Sequence, residues 1–244
     1  MCWNFSGSTA NESTLKPLCE QVDRHFRLPS DRYYRYFAVQ EDEAADHQFI
    51  AQQLGQYCRG LHVVVSGKHD VCQYFVNRCI PPEDLDNYDN LIYIRHSTCL
   101  NPTGCVITYA HELQHTVQES LFPKLMGVNF VLYHNLKRFL PSATEIDIPT
   151  ERDANIVSKS VAEMVCGAGA VKRFAEEQVQ YMKRVCETDQ LIRWEFFLNL
   201  QSYNWVSETR RLVQEFKGRM SFGIDVEKPD WWKGRAPDTD PGEY

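Results

Sequence analysis

The sequence predicts an α+β fold: a small, twisted, mostly antiparallel sheet packed on one buried helix, then a largely helical C-terminal half. Three observations lead there. Two short β-branched runs, LHVVVS at residues 61–66 and LIYIRH at 91–96, read as strands. A helix start follows the second run, with Asn101 as cap and Pro102 pre-set for the first helical position. Beyond residue 128, apolar residues recur at helical spacing with few strand signals.

Each element can be justified in turn. Residues 1–40 read as an irregular segment whose aromatic cluster, Tyr33, Tyr34, Tyr36 and Phe37, belongs in a core or on a docking surface. Glu41 to Tyr57 is expected to be helical: acidic residues open it, Phe49, Ile50 and Leu54 share one face, and Gly60 stops it. Val71 to Ile80 fits either a second strand or a short helix, broken by Pro81 and Pro82, and Asp84 to Asn90 is turn-like. The helix opened by Pro102 runs to Leu121 and ends before Pro123. Further helices are expected at Val128–Leu140, Thr150–Val165, Ala170–Cys186, Gln190–Leu200 and Val206–Lys217, with Gly167 and Gly169 closing the second. Residues 41–222 therefore form the main domain. Residues 223–244 form a polar tail whose Trp231 and Trp232 pack back on it.

Composition narrows the function. The chain has 244 residues, 43% of them hydrophobic, enough for one well-packed domain. The formal net charge is −7 and no basic stripe is visible, so no nucleic-acid partner is expected. No run of apolar residues is long enough for a membrane span, and the polar N-terminus lacks the apolar core of a signal peptide. Nine scattered cysteines without a CxxC pair read as reduced thiols, which points to the cytoplasm; delivery to another cell or compartment is the alternative. The oligomeric state is not written in the sequence.

The chemistry lies in His111-Glu112-Leu113-Gln114-His115, an HExxH pattern on the helix opened by Pro102. Histidines four apart stack on one helix face and can reach one zinc ion together. Glu112 then stands at the open side of the metal as general base toward an activated water. Val106, Ile107, Tyr109, Ala110 and Val117 surround the motif, so its polar groups are buried and need partners. A catalytic zinc takes three protein ligands and keeps one position open. Glu145, Asp147, Glu151, Asp153 and His134 are the downstream candidates for the third, and Glu151 is preferred because it opens a helix beside the small Ala154. Asp153 then stands behind a ligating histidine. His134, Tyr133 and Tyr109 are the candidates for an oxyanion donor, although Tyr109 lies two residues before His111 and points elsewhere.

With HExxH and a downstream Glu, the chain resembles the zincin metallopeptidases of the gluzincin type. Its run ERDAN, residues 151–155, is similar to the second motif of ImmA/IrrE-type peptidases. The resemblance spans residues 91–165, with a helix over 128–140 as an insertion. It implies a zincin-like fold, one catalytic zinc held by His111, His115 and Glu151, and hydrolysis of a peptide bond in a protein or peptide substrate. It also implies that residues 91–96 form an edge strand that pairs with the substrate backbone, placing Ile92, Tyr93, Ile94, Arg95 and His96 along the peptide. Three other readings remain open: a zinc enzyme acting on a non-peptide amide, a non-catalytic zinc-binding regulatory module, and a delivered protease effector. The N-terminal segment is also expected to be able to cover the cleft, with Cys2 or Cys19 capping the zinc.

Overall fold

The computed structural model describes residues 2–6, 9–28, 32–38, 52 and 57–233. The helix expected over Glu41–Tyr57 falls almost wholly outside the described residues. The architecture is α+β, with the sheet in the N-terminal half and helices from residue 96 onward.

The sheet has four strands: β1 (Cys2–Ser6), β2 (Tyr33–Ala38), β3 (Gly60–Val64) and β4 (Asn90–Ile94). Their spatial order is β1-β2-β4-β3. β1 and β4 run parallel to β2, and only β3 is antiparallel to its neighbour. The expectation of a mostly antiparallel sheet is therefore corrected to a mixed one. The physical reason lies in the described part of residues 1–40, which is a strand, a helix and a second strand and not an irregular segment. β1 leads into helix α1 (Thr9–Asp23), and α1 returns the chain to β2 as a right-sized parallel crossover.

Alternation along the strands divides the sheet into two faces. Phe37, Ile92 and Ile94 pack with Leu15, Cys19 and Val22 of α1 and with the long helix behind them. Tyr34, Tyr36, Leu91 and Tyr93 pack on the other side with Val71, Phe75 and Val76. The latter belong to α2 (Asp70–Cys79), which settles the ambiguous segment as a helix. Its start is capped by His69, and a 3-10 turn, Pro82–Asn87, leads to β4.

A one-turn helix, α3 (His96–Cys99), precedes α4 (Pro102–Leu121), which carries the HExxH run. Asn101 Oδ1 accepts from Gly104 N at 3.0 Å, the expected cap. Every residue of α4 from Gly104 to Gln118 is buried. Gly104 lets α4 pack close, since a Cβ there would sit 2.6 Å from Phe174. Then come α5 (Pro123–Phe139), a 3-10 turn (Glu145–Asp147) and α6 (Pro149–Cys166). α7 (Ala168–Val185), α8 (Thr188–Leu198) and α9 (Trp205–Phe216) follow. α5 and α9 build a second core with Phe122, Leu132, Val213 and Phe216. Phe222 and Trp231 are buried in that core and Trp232 packs against it, so the polar tail docks at least to there.

No helix among the described residues is long and apolar enough to cross a membrane. The nine cysteines are free thiols. Cys19 is buried in the main core and Cys2 lies on β1, at the sheet edge farthest from β3, so neither caps the motif.

Candidate metal centre

Two helices build the site. α4 supplies His111 and His115, one turn apart on one face, and the first turn of α6 supplies Glu151. His111 Nε2 lies 3.3 Å from Glu151 Oε2, and His115 Nε2 lies 3.3 Å from Glu151 Oε1. The two Nε2 atoms are 3.1 Å apart. Ligand atoms of these three residues all fall within 4.8 Å of one another, and they form the metal-competent group of His, Cys, Asp and Glu among the described residues.

The groups behind His115 decide what its Nε2 offers. Gln118 Nε2 donates to Asp153 Oδ2 at 2.7 Å and to the Thr150 carbonyl at 3.2 Å. Both partners are acceptors, so the amide oxygen of Gln118 must face the other way, and it lies 2.9 Å from His115 Nδ1. His115 Nδ1 is therefore the protonated nitrogen, and its Nε2 lone pair is turned toward His111 and Glu151. Gln114 Nε2 also donates to Asp153 Oδ2, at 2.7 Å, which locks the carboxylate between two amides.

The donor set fits a zinc ion. Two imidazole nitrogens and a carboxylate converge from rigid helices, the nitrogen–oxygen ligand type zinc takes. Lone pairs that face one another in a buried site repel unless a cation lies between them. The electrostatics agree. Burial opposes charge on His115, yet Glu151 and Glu112 outweigh it and raise the imidazole to about 9. Burial pushes His111 down to about 4. Burial also opposes charge on Glu151, but the two imidazoles hold its carboxyl well below the usual range. The same field draws either a proton onto His115 Nε2 or a metal ion into the cluster. His111 Nδ1 is buried with no hydrogen-bond partner among the described residues.

Glu112 stands beside this cluster against β3. A Cβ on Gly60 would come within 3.1 Å of Glu112 Oε1 and 2.7 Å of Thr108 Cγ2, so β3 approaches α4 this closely because residue 60 has no side chain. The His62 backbone N–H donates to the Glu112 carboxylate. Burial raises Glu112 to about 7, against the lowering influence of His115.

The other candidates are placed elsewhere. Glu145 pairs with Arg193 at 3.1 Å, Asp147 closes a capping box with Thr144, and Asp153 is held by the two glutamines. His134 is exposed on α5, its ring 4.3 Å from Phe130 and 5.3 Å from Tyr133, and it is outside the metal-competent group. Tyr133 is 43% exposed, and its hydroxyl lies in the field of Glu145, Glu151, Cys58 and Arg193, so it borders the site. Tyr109 points to the opposite face of α4, where it donates to Asp23 at 2.6 Å.

The substrate strand is corrected. β4 is paired on both sides, by β2 and by β3, so Ile92, Tyr93 and Ile94 have no free edge to offer. All five of its residues are buried, which is the mark of an interior strand. Arg95 caps α3 and donates to the Cys58 carbonyl, and His96 opens that helix. Among the described residues, the strand at the edge on this side is β3.

Sequence reasoning missed Gln114, Gln118 and Arg193. The glutamines left a weak signal: they lie four apart on a helix whose flanks are apolar, where an amide needs a partner. Arg193 left none, because one arginine in an amphipathic helix reads as solvent-facing. No protein-family model, curated protein or solved structure matches this chain.

Proposed function

We propose that this chain is a zinc-dependent endopeptidase of zincin-like, gluzincin type, acting on a protein or peptide in extended form. The observation that carries the reading is the convergence of His111, His115 and Glu151, with donor atoms within 4.8 Å of one another, beside the carboxylate of Glu112.

His111 Nε2, His115 Nε2 and Glu151 would hold the zinc, and the bound ion would supply a Lewis acid that polarises the scissile carbonyl and acidifies water. Glu112 Oε takes a proton from the attacking water as its oxygen bonds to the carbonyl carbon. The carbonyl π pair moves onto its oxygen. When that pair returns and the C–N bond breaks, Glu112 gives its proton to the departing nitrogen, leaving a free carboxyl end and a free amine. The His62 N–H and the bare Cα of Gly60 hold Glu112 in place for both transfers. An extended peptide added alongside β3, the edge strand among the described residues, runs past Glu112 by strand addition.

The test has two arms. Purified parent protein is expected to carry about one zinc per chain and to cleave an unstructured protein. Glu151→Ala is expected to lose the metal, and Glu112→Gln to keep it while hydrolysis falls by roughly 10²–10⁴-fold. Zinc without hydrolysis of any unstructured protein would leave a metal-binding module. No zinc after reconstitution would remove the proposal.

A further inference from the structure

We infer that Arg193 is a catalytic residue of this site: its guanidinium binds the negative charge that develops on the substrate carbonyl oxygen during hydrolysis. The inference rests on the peptidase reading.

Arg193 is located from two sides. Its Nη1 donates to Glu145 Oε2 at 3.1 Å, and Glu145 lies in the turn that leads into α6 and its Glu151. Its chain neighbour Trp194 carries the Arg59 guanidinium 4.8 Å above its ring, and the residue after Arg59, Gly60, faces Glu112 closely enough that a Cβ there would lie 3.1 Å from its carboxylate. Arg193 is thus tied to the turn that leads into α6, and Glu151 and Glu112 lie within its electrostatic reach. Its side chain keeps 21% exposure there, so it is enclosed yet reachable.

Charge and donor count favour the role. Burial works against the Arg193 cation, but Glu145, Glu151 and Glu112 outweigh it and strengthen its hold on the proton. It is therefore a permanent cation beside the general base. The bond to Glu145 is its one side-chain hydrogen bond among the described residues, and a guanidinium has five N–H donors. Donors already fixed in a water-poor site stabilise a developing oxyanion without reorganising. His134 does not compete, since its ring packs with Phe130 at the outer rim. Tyr133 is a neutral donor, and burial keeps its phenol protonated.

The experiment compares full-length parent, Arg193→Ala and Arg193→Lys on one fluorogenic peptide, with zinc content measured on each sample. Arg193→Ala is expected to keep its zinc, lose about 100-fold or more in kcat, and hold KM within about threefold. Millimolar guanidinium is expected to restore part of the kcat of Arg193→Ala, and ammonium is not. Arg193→Lys, which keeps the charge without the fork, is expected to lose about tenfold and serves as the comparison should the alanine variant not fold. A kcat within threefold of parent in either zinc-loaded variant would overturn the assignment. So would a loss confined to KM and to peptides with a free C-terminal carboxylate, which would make Arg193 a substrate anchor. A parent chain with no zinc and no hydrolysis removes the peptidase reading itself, and the parent assay alone reports that outcome.

Discussion

Two buried polar clusters sit on opposite faces of α4, and they are built on opposite principles. On the back face, Arg35 is fully buried on β2. It pairs with Asp23 at 3.0 Å, donates to the Tyr109 hydroxyl and the Tyr33 carbonyl, and stacks on Trp3 at 4.9 Å. Tyr109 completes the ring with its bond to Asp23. Donors meet acceptors and a cation meets an anion, so nothing is missing. On the front face, two imidazoles and a carboxylate converge on one point, and a positive charge, a proton on His115 or a metal ion, completes them. A saturated cluster binds the fold together, whereas an unsaturated one is poised to bind something else. Both were bought at the expense of burying charge, so burial alone does not tell the two apart.

Breaking the back cluster is expected to have the largest effect on stability. Arg35→Met leaves Asp23 and Tyr109 without their buried cation and is expected to lower unfolding free energy by about 3–5 kcal/mol, read by urea denaturation. The double variant Asp23→Leu/Arg35→Met is expected to recover much of that loss. A single variant as stable as the parent would show that the back cluster does not hold α1 and β2 to α4. Zinc content should be nearly unchanged in any of these variants that folds, because the cluster does not face the metal site.

The front cluster should answer in metal affinity. Gln118→Ala removes the acceptor that sets the His115 tautomer and is expected to weaken zinc binding by about 10–100-fold in a competition assay with a chromophoric chelator. Unchanged affinity would mean that His115 needs no support from α6 through Asp153. Gly60→Ala is expected to act more narrowly. The added methyl forces Thr108 or Glu112 to move, so hydrolysis should drop while zinc content stays at the parent level. Equal rates in parent and variant would show that Glu112 does not depend on the close approach of β3.

The smallest expected effect is a pH slope from the back cluster. Burial raises Asp23 above its ordinary 3.8, against the pull of Arg35. The folded state then binds the proton more tightly than the unfolded one. This group's contribution is full below about 3.8 and is lost as pH rises through its folded value. Asp23→Asn should abolish that slope in stability measured across the acid range. A slope that persists would assign it to other carboxylates.

Legibility followed the strength of local signals. α4 came out of the sequence with its observed ends because Asn101 and Pro102 start a helix and Pro123 stops one by local chemistry. The N-terminal 40 residues did not. β1 has five residues, and α1 carries Pro17 inside it and shows only Leu15, Cys19 and Val22 as its buried stripe. Such a segment gains its order from packing on α4 and pairing with β2, which no local window contains. The run LIYIRH was legible as a strand but not as an interior one, since its pairing partners lie 57 residues upstream in β2 and about 30 upstream in β3.

By itself, the sequence determined half of the candidate metal centre: the stacking of His111 and His115, with Glu112 beside them, is a consequence of a 3.6-residue turn. Glu151 was singled out among several acids because it opens a helix, a local property. Tertiary structure alone decided the rest. It brought Glu151 to the two histidines while giving Glu145, Asp147 and Asp153 other partners, ran Gln118 between Asp153 and His115, and, among the described residues, set β3 rather than β4 at the sheet edge. Each of these depends on distances between segments far apart in the chain, and such distances are set by how the helices and the sheet bury their apolar faces together.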